Sequence, residues 1–202
     1  MKIGHFYFIS NIYFMTFQDE KLMKNKEKVH EVSHNRPCFF SFKDEKTSLY
    51  WLIPISSKVE KYKAIYNKKI LRFGKCDTLT FGEVLGRKAA FLIQNMCPII
   101  PKYINEEFID KISLLPVRVS GNIEKDVIKK AKKVLNLYHN GVDLIFPNVG
   151  MIEKQLLAEL SIEKIKSKSN EISLSKRLLI AKEKTLDYKE RKYVNKNIGI
   201  EK

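Results

Sequence analysis

The sequence predicts an α+β protein built around an antiparallel sheet, and three observations point that way. Two apolar runs rich in aromatic and β-branched residues, "PCFFSF" (Pro37–Phe42) and "LYWLIPI" (Leu49–Ile55), flank the short polar "KDEKTS" (Lys43–Ser48), the pattern of a β-hairpin. Between Glu124 and Asn140, the residues Val127, Ala131, Val134 and Tyr138 step by four, three and four, the spacing of one helix face. Beyond Gly150 the chain has no proline and one glycine, Gly199, and is dense in Lys, Glu, Leu and Ile. The chain thus divides into a main domain over residues 1–150 and a helical, in part disordered, extension over 151–202.

Taken in order, Ile3–Ile9 is aromatic and β-branched and reads as a strand. The wider stretch "MKIGHFYFISNIYFMTF" has the apolarity of a leader. It is broken by His5, Ser10 and Asn11 and has no small-x-small cleavage pattern, so it reads better as a strand beginning the fold. Gln18–His34 is polar and lysine-rich and reads as a loop or short helix. After the hairpin, Lys61–Lys75 interleaves cations with Tyr62, Ile65, Tyr66, Ile70, Leu71 and Phe73, as a helix or an irregular loop would. "AAFLIQNM" (Ala89–Met96) lies between Gly82 and Gly86 on one side and Pro98 and Pro101 on the other, which favours a buried strand. In the Glu124–Asn140 helix, Ile128 and Leu135 join the apolar stripe, Lys125, Lys129, Lys132 and Lys133 fall outside it, and Gly141 is placed to end it. "DLIFPNVG" (Asp143–Gly150) reads as a short strand and turn, and helices are expected near Ile152–Lys166 and Ile172–Tyr188.

With 202 residues and 44% hydrophobic content the chain can bury one ordinary core, which excludes wholesale disorder. Its 38 Lys+Arg against 23 Asp+Glu give a net charge of +15, a field that attracts polyanions; a generally lysine-rich surface is the plainer account. Three cysteines, Cys38, Cys76 and Cys97, are widely spaced and form no C-x-x-C pair, which argues against a zinc site or a disulfide framework and suits a reducing cytoplasm. Cys38, inside an apolar run, reads as a small buried hydrophobe. No apolar run approaches the ~18 residues of a membrane-spanning helix, so no membrane partner is expected.

The hairpin gathers the residues with chemical potential. In an antiparallel pair the two ends away from the turn lie together. One end carries His34 and Arg36, and the other carries Ser56, Ser57 and Lys58. Guanidinium and ammonium groups can neutralise a developing phosphorane, hydroxyls can donate to non-bridging oxygens, and an imidazole can take or give a proton near neutrality. On RNA the substrate's own 2′-hydroxyl can be the nucleophile, so no metal or enzyme nucleophile is required. The plain alternative is an ordinary serine turn beside solvated cations.

A second set follows directly. Lys61, Lys63, Lys68, Lys69, Arg72 and Lys75 alternate with Tyr62 and Tyr66, and cations that track phosphates beside aromatics that stack on bases make a single-strand binding surface. Arg87 and Lys88 are further RNA-binding candidates. The alternative is that the tyrosines pack inward and the lysines are merely solvated. No Walker A or dinucleotide glycine pattern is present, and "TFGEVLG" (Thr80–Gly86) has the wrong spacing for either. His30 and His34 stand four apart with no third metal ligand, so no metal or other cofactor is expected.

The order "HFYF", "NRPCFFSF", "LYWLIPISSK" resembles the small endoribonuclease toxins of the MazF/Kid-like fold, in which an Arg-Pro strand precedes one ending in Pro-x-Thr/Ser. The longer blocks "HNRPCFFSFKDEKTSLYWLIPISSKVEKYK", "TLTFGEVLGRKAAFLIQNMCPI" and "KAKKVLNLYHNGVDLIFP" resemble the toxins of type III toxin–antitoxin systems, specifically the CptN branch of the ToxN/AbiQ group, over residues 3–150. The resemblance implies a compact, highly curved antiparallel sheet or barrel with helices around it. It also implies metal-independent cleavage of single-stranded RNA to a 2′,3′-cyclic phosphate and a 5′-hydroxyl. The expected partners are a pseudoknotted RNA antitoxin, cut by the toxin from a repeat precursor and closed with it into a cyclic assembly, and cellular RNA as substrate. By position Ser56 and Ser57 match the Thr/Ser pair of the ToxN branch and Arg36 the Arg-Pro of the MazF-like fold. In the ToxN branch a proline separates that pair from a lysine; here Lys58 follows Ser57 directly, which leaves open whether Lys58 or Lys61 meets the phosphate. A non-catalytic RNA-binding regulator is the alternative, and a DNA-binding partner of another toxin would need a helix-turn-helix that the sequence does not display.

Overall fold

The computed structural model describes residues 1–29, 32–167 and 182. The chain forms two compact units, Met1–Leu156 and Leu157–Lys202, and the fold and site described below belong to the first. Its elements are β1 (Phe6–Ile9), α1 (Asn11–Thr16), a ribbon of β2 (Lys26–Val29) and β3 (Val32–His34), and the hairpin β4 (Pro37–Lys43) and β5 (Tyr50–Ser56). They continue with α2 (Val59–Phe73), a second hairpin of β6 (Thr80–Val84) and β7 (Arg87–Phe91), the short β8 (Cys97–Ile99), β9 (Ile104–Glu107) and α3 (Asn122–His139). Residues 149–156 of this unit, and 157–167 of the other, are helical where a helix was expected. The expected helix at Ile172–Tyr188 falls outside the described residues apart from Lys182.

The predicted hairpin is the middle of the sheet. β4 and β5 pair antiparallel, Cys38 opposite Pro54 and Lys43 opposite Tyr50. A bulge at Ser41 interrupts them, and the Ser41 hydroxyl donates to the Trp51 carbonyl at 2.8 Å, which satisfies a buried polar group where the ladder slips. β1 lies antiparallel between β4 and β9. On the other edge β5 is shared: Tyr50–Leu52 pair with β8, and Ile55 and Ser56 pair with β7. The sheet runs β6-β7-β5-β4-β1-β9, with β8 beside β5. The expected closure into a barrel is not realised. The pairing splits at β5 between β8 and β7, and among the described residues β6 and β9 end the sheet without meeting.

One face of this sheet forms the core with α3. Phe6, Phe39 and Phe91 are fully buried and meet edge-on, Phe6–Phe39 at 5.6 Å and Phe39–Phe91 at 5.5 Å between centroids. Val127, Ala131 and Val134 of the predicted helix stripe are buried against them, with Leu135 beside. Gly141 follows the helix with φ of 86° and its N–H bonds to the Tyr138 carbonyl at 3.0 Å, the left-handed ending expected of it.

Several expectations differ. The first strand begins at Phe6, because Gly4 turns the chain with φ of 83° against the Val119 carbonyl, where a Cβ would approach to 2.8 Å. The aromatic run after Ser10 is a helix: the Ser10 hydroxyl accepts the Ile12 N–H at 3.2 Å, and helical spacing buries Tyr13 and Phe17 together. Part of the polar stretch 18–34 is the β2–β3 ribbon rather than a loop or helix. Of the two forms open to Lys61–Lys75, the helix is the one found, since the stretch lies almost wholly in α2. The strand read at Ala89–Met96 is β7 shifted toward Arg87, and a 3-10 turn at Ile93–Asn95 replaces its second half. Asp143–Gly150 holds no strand; Phe146 donates its N–H to the Gln94 carbonyl at 2.7 Å as an irregular segment laid on the core.

Candidate active site

The open end of the β4–β5 hairpin is where the chain turns from sheet into helix. Ser56 ends β5. Its hydroxyl accepts the Lys58 N–H at 3.2 Å, and the Ser57 carbonyl accepts the Val59 N–H at 2.9 Å. Lys58, with φ −78° and ψ 57°, is thus the centre of an inverse γ-turn that starts α2. The two serines differ in consequence. Ser56 is bound into the turn, whereas the exposed Ser57 hydroxyl makes no hydrogen bond among the described residues. Lys58 and Lys61 project from the first turn of α2, at the positive end of its dipole.

A cleft of about 740 Å³ opens here. Arg36 and Pro37 form one wall, Ser56, Ser57 and Lys58 the next, Lys61 and Tyr62 a third, and Arg87 stands at the start of β7. Four cations and two serine hydroxyls therefore share one cavity, and none of its described lining residues is a carboxylate. Arg36 is oriented by its surroundings: Nη1 donates to the Ile55 carbonyl at 3.0 Å, and the backbone N–H donates to Asn25 Oδ1 at 3.1 Å. Its Nε is buried and has no hydrogen-bond partner among the described residues. Lys61 also lies 5.9 Å from the centroid of the Tyr62 ring, a cation–π contact.

Of the remaining sequence candidates, His34 ends β3, two residues before Arg36, and its side chain lies outside the described residues. Lys88 lines a neighbouring cavity. Five others lie on or just past α2 without lining the cleft. Lys63 pairs with Glu60 at 3.0 Å, and Arg72 sits 5.0 Å from the Phe73 ring. Lys68 and Lys75 are exposed away from the cleft. Lys69 is a structural residue: it donates to Thr78 Oγ1 at 2.7 Å and to Gln94 Oε1 at 2.8 Å, both buried. Burial holds the Lys69 ammonium below the usual lysine range, against an opposing pull from Cys76. Tyr66 is likewise packing, edge-on to Phe81 at 5.6 Å. The plainer account of the basic aromatic run is thus right for Tyr66 and Lys69, and Tyr62 does both jobs, packing on the core while lining the cleft.

The cleft also contains Met23, Asn35 and Phe108, which sequence reasoning missed. Asn35 adjoins Arg36 in the sequence. Phe108 carries no local signal; it arrives because β9 pairs with β1, and its N–H bonds to the Phe6 carbonyl at 2.8 Å. Among the described residues no group of three or more His, Cys, Asp or Glu side chains could hold a metal, and no helix is long and apolar enough to cross a membrane.

No family model matches the chain, and no curated protein matches it. Among solved structures it is similar to AbiQ, a lactococcal anti-phage endoribonuclease belonging to the type III toxin–antitoxin system. The TM-score is 0.57 at 15% identity, over 79% of this chain and 99% of that one. At that identity the likeness is one of fold, an antiparallel sheet with packed helices.

Proposed function

We propose that the chain is a metal-independent endoribonuclease toxin of a type III toxin–antitoxin system, of the CptN branch, that cuts single-stranded RNA at the open end of the β4–β5 hairpin. The observation that carries this is the cleft itself: Arg36, Lys58, Lys61 and Arg87 converge with Ser57 and no described carboxylate opposes them. The likeness of fold to an endoribonuclease of that system supports the same reading.

In this mechanism the 2′-hydroxyl of the substrate attacks the adjacent phosphorus. The new 2′-O–P bond closes a 2′,3′-cyclic phosphate, the P–O5′ bond breaks, and the 5′-oxygen leaves as a hydroxyl after taking a proton. Arg36 and the lysines at the start of α2 neutralise the charge gained by the non-bridging oxygens, and Ser57 donates a hydrogen bond to one of them. An unpaired buried donor costs about 1–3 kcal/mol, so an anion that let the Arg36 guanidinium satisfy its Nε would be favoured at this wall. His34, two residues before Arg36, is the candidate for taking the 2′-hydroxyl's proton as it attacks and for supplying the one the 5′-oxygen gains. The inhibitor and processed product would be a pseudoknotted RNA bound by the same basic face, closing with the toxin into a cyclic assembly.

Incubation of the purified chain with cellular RNA in excess EDTA is expected to yield 2′,3′-cyclic phosphate ends, and Ser57→Ala is expected to yield none above background. RNA that stays intact while binding it in a salt-sensitive manner would replace this reading with a non-catalytic RNA-binding regulator.

A further inference from the structure

A second cavity, of about 660 Å³, adjoins the cleft and has no part in the chemistry above. The two share Pro37, Ile55, Ser57, Arg87 and Phe108, so the Ser57 hydroxyl assigned to the phosphate and the Arg87 guanidinium of the cleft stand on the boundary between them. The second cavity has a different character. Ile55, Val84, Ala89 and Phe108 give it an apolar lining, and the exposed Leu85 and Ile112 extend that lining at its mouth. Phe108 is held by an edge-on contact with Phe8 at 5.3 Å. Around this apolar surface stand the cations Arg87, Lys88 and Lys111 and one carboxylate, Asp110.

Asp110 is a fixed acceptor. Its Oδ2 receives the Ser113 N–H at 3.0 Å and the Ser113 hydroxyl at 2.8 Å. Its backbone closes the same loop, with the Asp110 N–H donating to the Leu115 carbonyl and its carbonyl accepting the Leu114 N–H, both at 2.9 Å. The Ser113 hydrogen bonds hold the carboxyl below the usual range, so it is ionised at neutrality. A carboxylate has about four acceptor sites, so Asp110 keeps capacity beyond its own loop, and beside a phosphate-binding cleft it opposes RNA unless the RNA brings it a donor.

We propose that this cavity is the base-selecting subsite of the cleft. It takes the unpaired nucleobase next to the scissile phosphate, against Phe108, with Asp110 accepting from an exocyclic amino group. Unstacked bases are recognised in this way, by an aromatic or apolar face, edge hydrogen bonds and cations for the flanking phosphates. Adenine, cytosine and guanine each offer an amino donor. Uracil offers only N3–H, set between two carbonyl oxygens that the carboxylate repels. The cavity therefore selects amino-bearing bases over uracil. The inference rests on the endoribonuclease reading for its place beside the scissile bond.

The test has two arms. In the cutting arm, one cleavage site is mapped and short strands are made with each of the four bases on either side of it. At one flanking position an amino-bearing base is expected to raise kcat/KM over uracil roughly tenfold. Asp110→Asn, which keeps the shape and removes the charge, is expected to bring that ratio close to unity. In the binding arm, 2′-O-methyl homopolymers of A, C and U, which 2′-hydroxyl attack cannot cut, are titrated onto the parent and onto Asp110→Asn. Tighter binding of A or C than U by the parent alone is expected. An unchanged base profile in Asp110→Asn, or no discrimination by the parent in either arm, overturns the subsite. A parent that discriminates in binding but cuts nothing leaves the subsite standing and overturns the nuclease reading.

Discussion

Ser56→Ala and Ser57→Ala are adjacent, chemically identical substitutions, and the structure predicts that they act on different properties. Ser56→Ala removes the acceptor for the Lys58 N–H, a 3.2 Å bond that shapes the turn into α2. A net hydrogen bond of this kind is worth about 0.5–1.5 kcal/mol. For a chain of this size each kcal/mol lowers Tm by about 2–4 °C, so a fall of a few degrees is expected, with activity reduced through the misplaced Lys58. Ser57→Ala removes no hydrogen bond among the described residues, and Tm is expected to move by less than about 0.5 kcal/mol allows. If Ser57 donates to the transition state, its loss costs about 100- to 1000-fold in rate. Thermal melting and single-turnover cleavage of a labelled RNA in EDTA measure the two quantities separately. A Ser57→Ala variant that cuts at the parent's rate would refute the role given to the hydroxyl. So would loss of activity in both variants that merely follows loss of Tm.

Lys69→Met leaves Thr78 and Gln94 without their shared donor and is expected to cost about 1–3 kcal/mol in urea denaturation. The unfolded lysine binds its proton more tightly than the folded one, so the parent's stability should rise with pH between the folded value and the ordinary ~10.4, and this variant should lose that rise. Gly82→Ala would set a Cβ 2.9 Å from two atoms of Ile123 and 3.4 Å from Phe91, an overpacking worth about 1–3 kcal/mol; an unchanged melting curve would show that α3 yields freely. Burial pushes the Cys97 thiol up to about 12 and the Cys38 thiol well above its usual range. Iodoacetamide at mildly alkaline pH should therefore label neither in the folded protein and both in urea, as read by peptide mass spectrometry.

What was legible in the sequence was what local pattern determines. The β4–β5 hairpin follows from two apolar runs about a polar turn, and α3 from its 3.6-residue period, because each buries one face against the other. The hairpin alone brings Arg36 to Ser56, Ser57 and Lys58, so the heart of the cleft was readable too. The misses have a common physical origin. The aromatic run at Asn11–Thr16 and the apolar run at Ala89–Met96 are too short for period to separate helix from strand, and tertiary packing decided both. Phe108, Asp110 and Lys111 reach the site through the pairing of β9 with β1, and no spacing rule spans that distance.

The structure also changes what the net charge of +15 means. Charge attracts RNA only where it is not already engaged. Lys63 is matched to Glu60, Lys130 to Asp126 and Lys133 to Asp77, while Lys69 serves two buried side chains. Among the described residues, the cations that line the cleft and its neighbour are Arg36, Lys58, Lys61, Arg87, Lys88 and Lys111. They come from four separate segments, gathered by strand pairing rather than by any basic run. The Lys61–Lys75 segment drew attention because it is dense in charge, yet only its first residues reach the cleft, since a helix that starts at a site must lead away from it. Density along the chain marked the helix, and convergence in space marks the site.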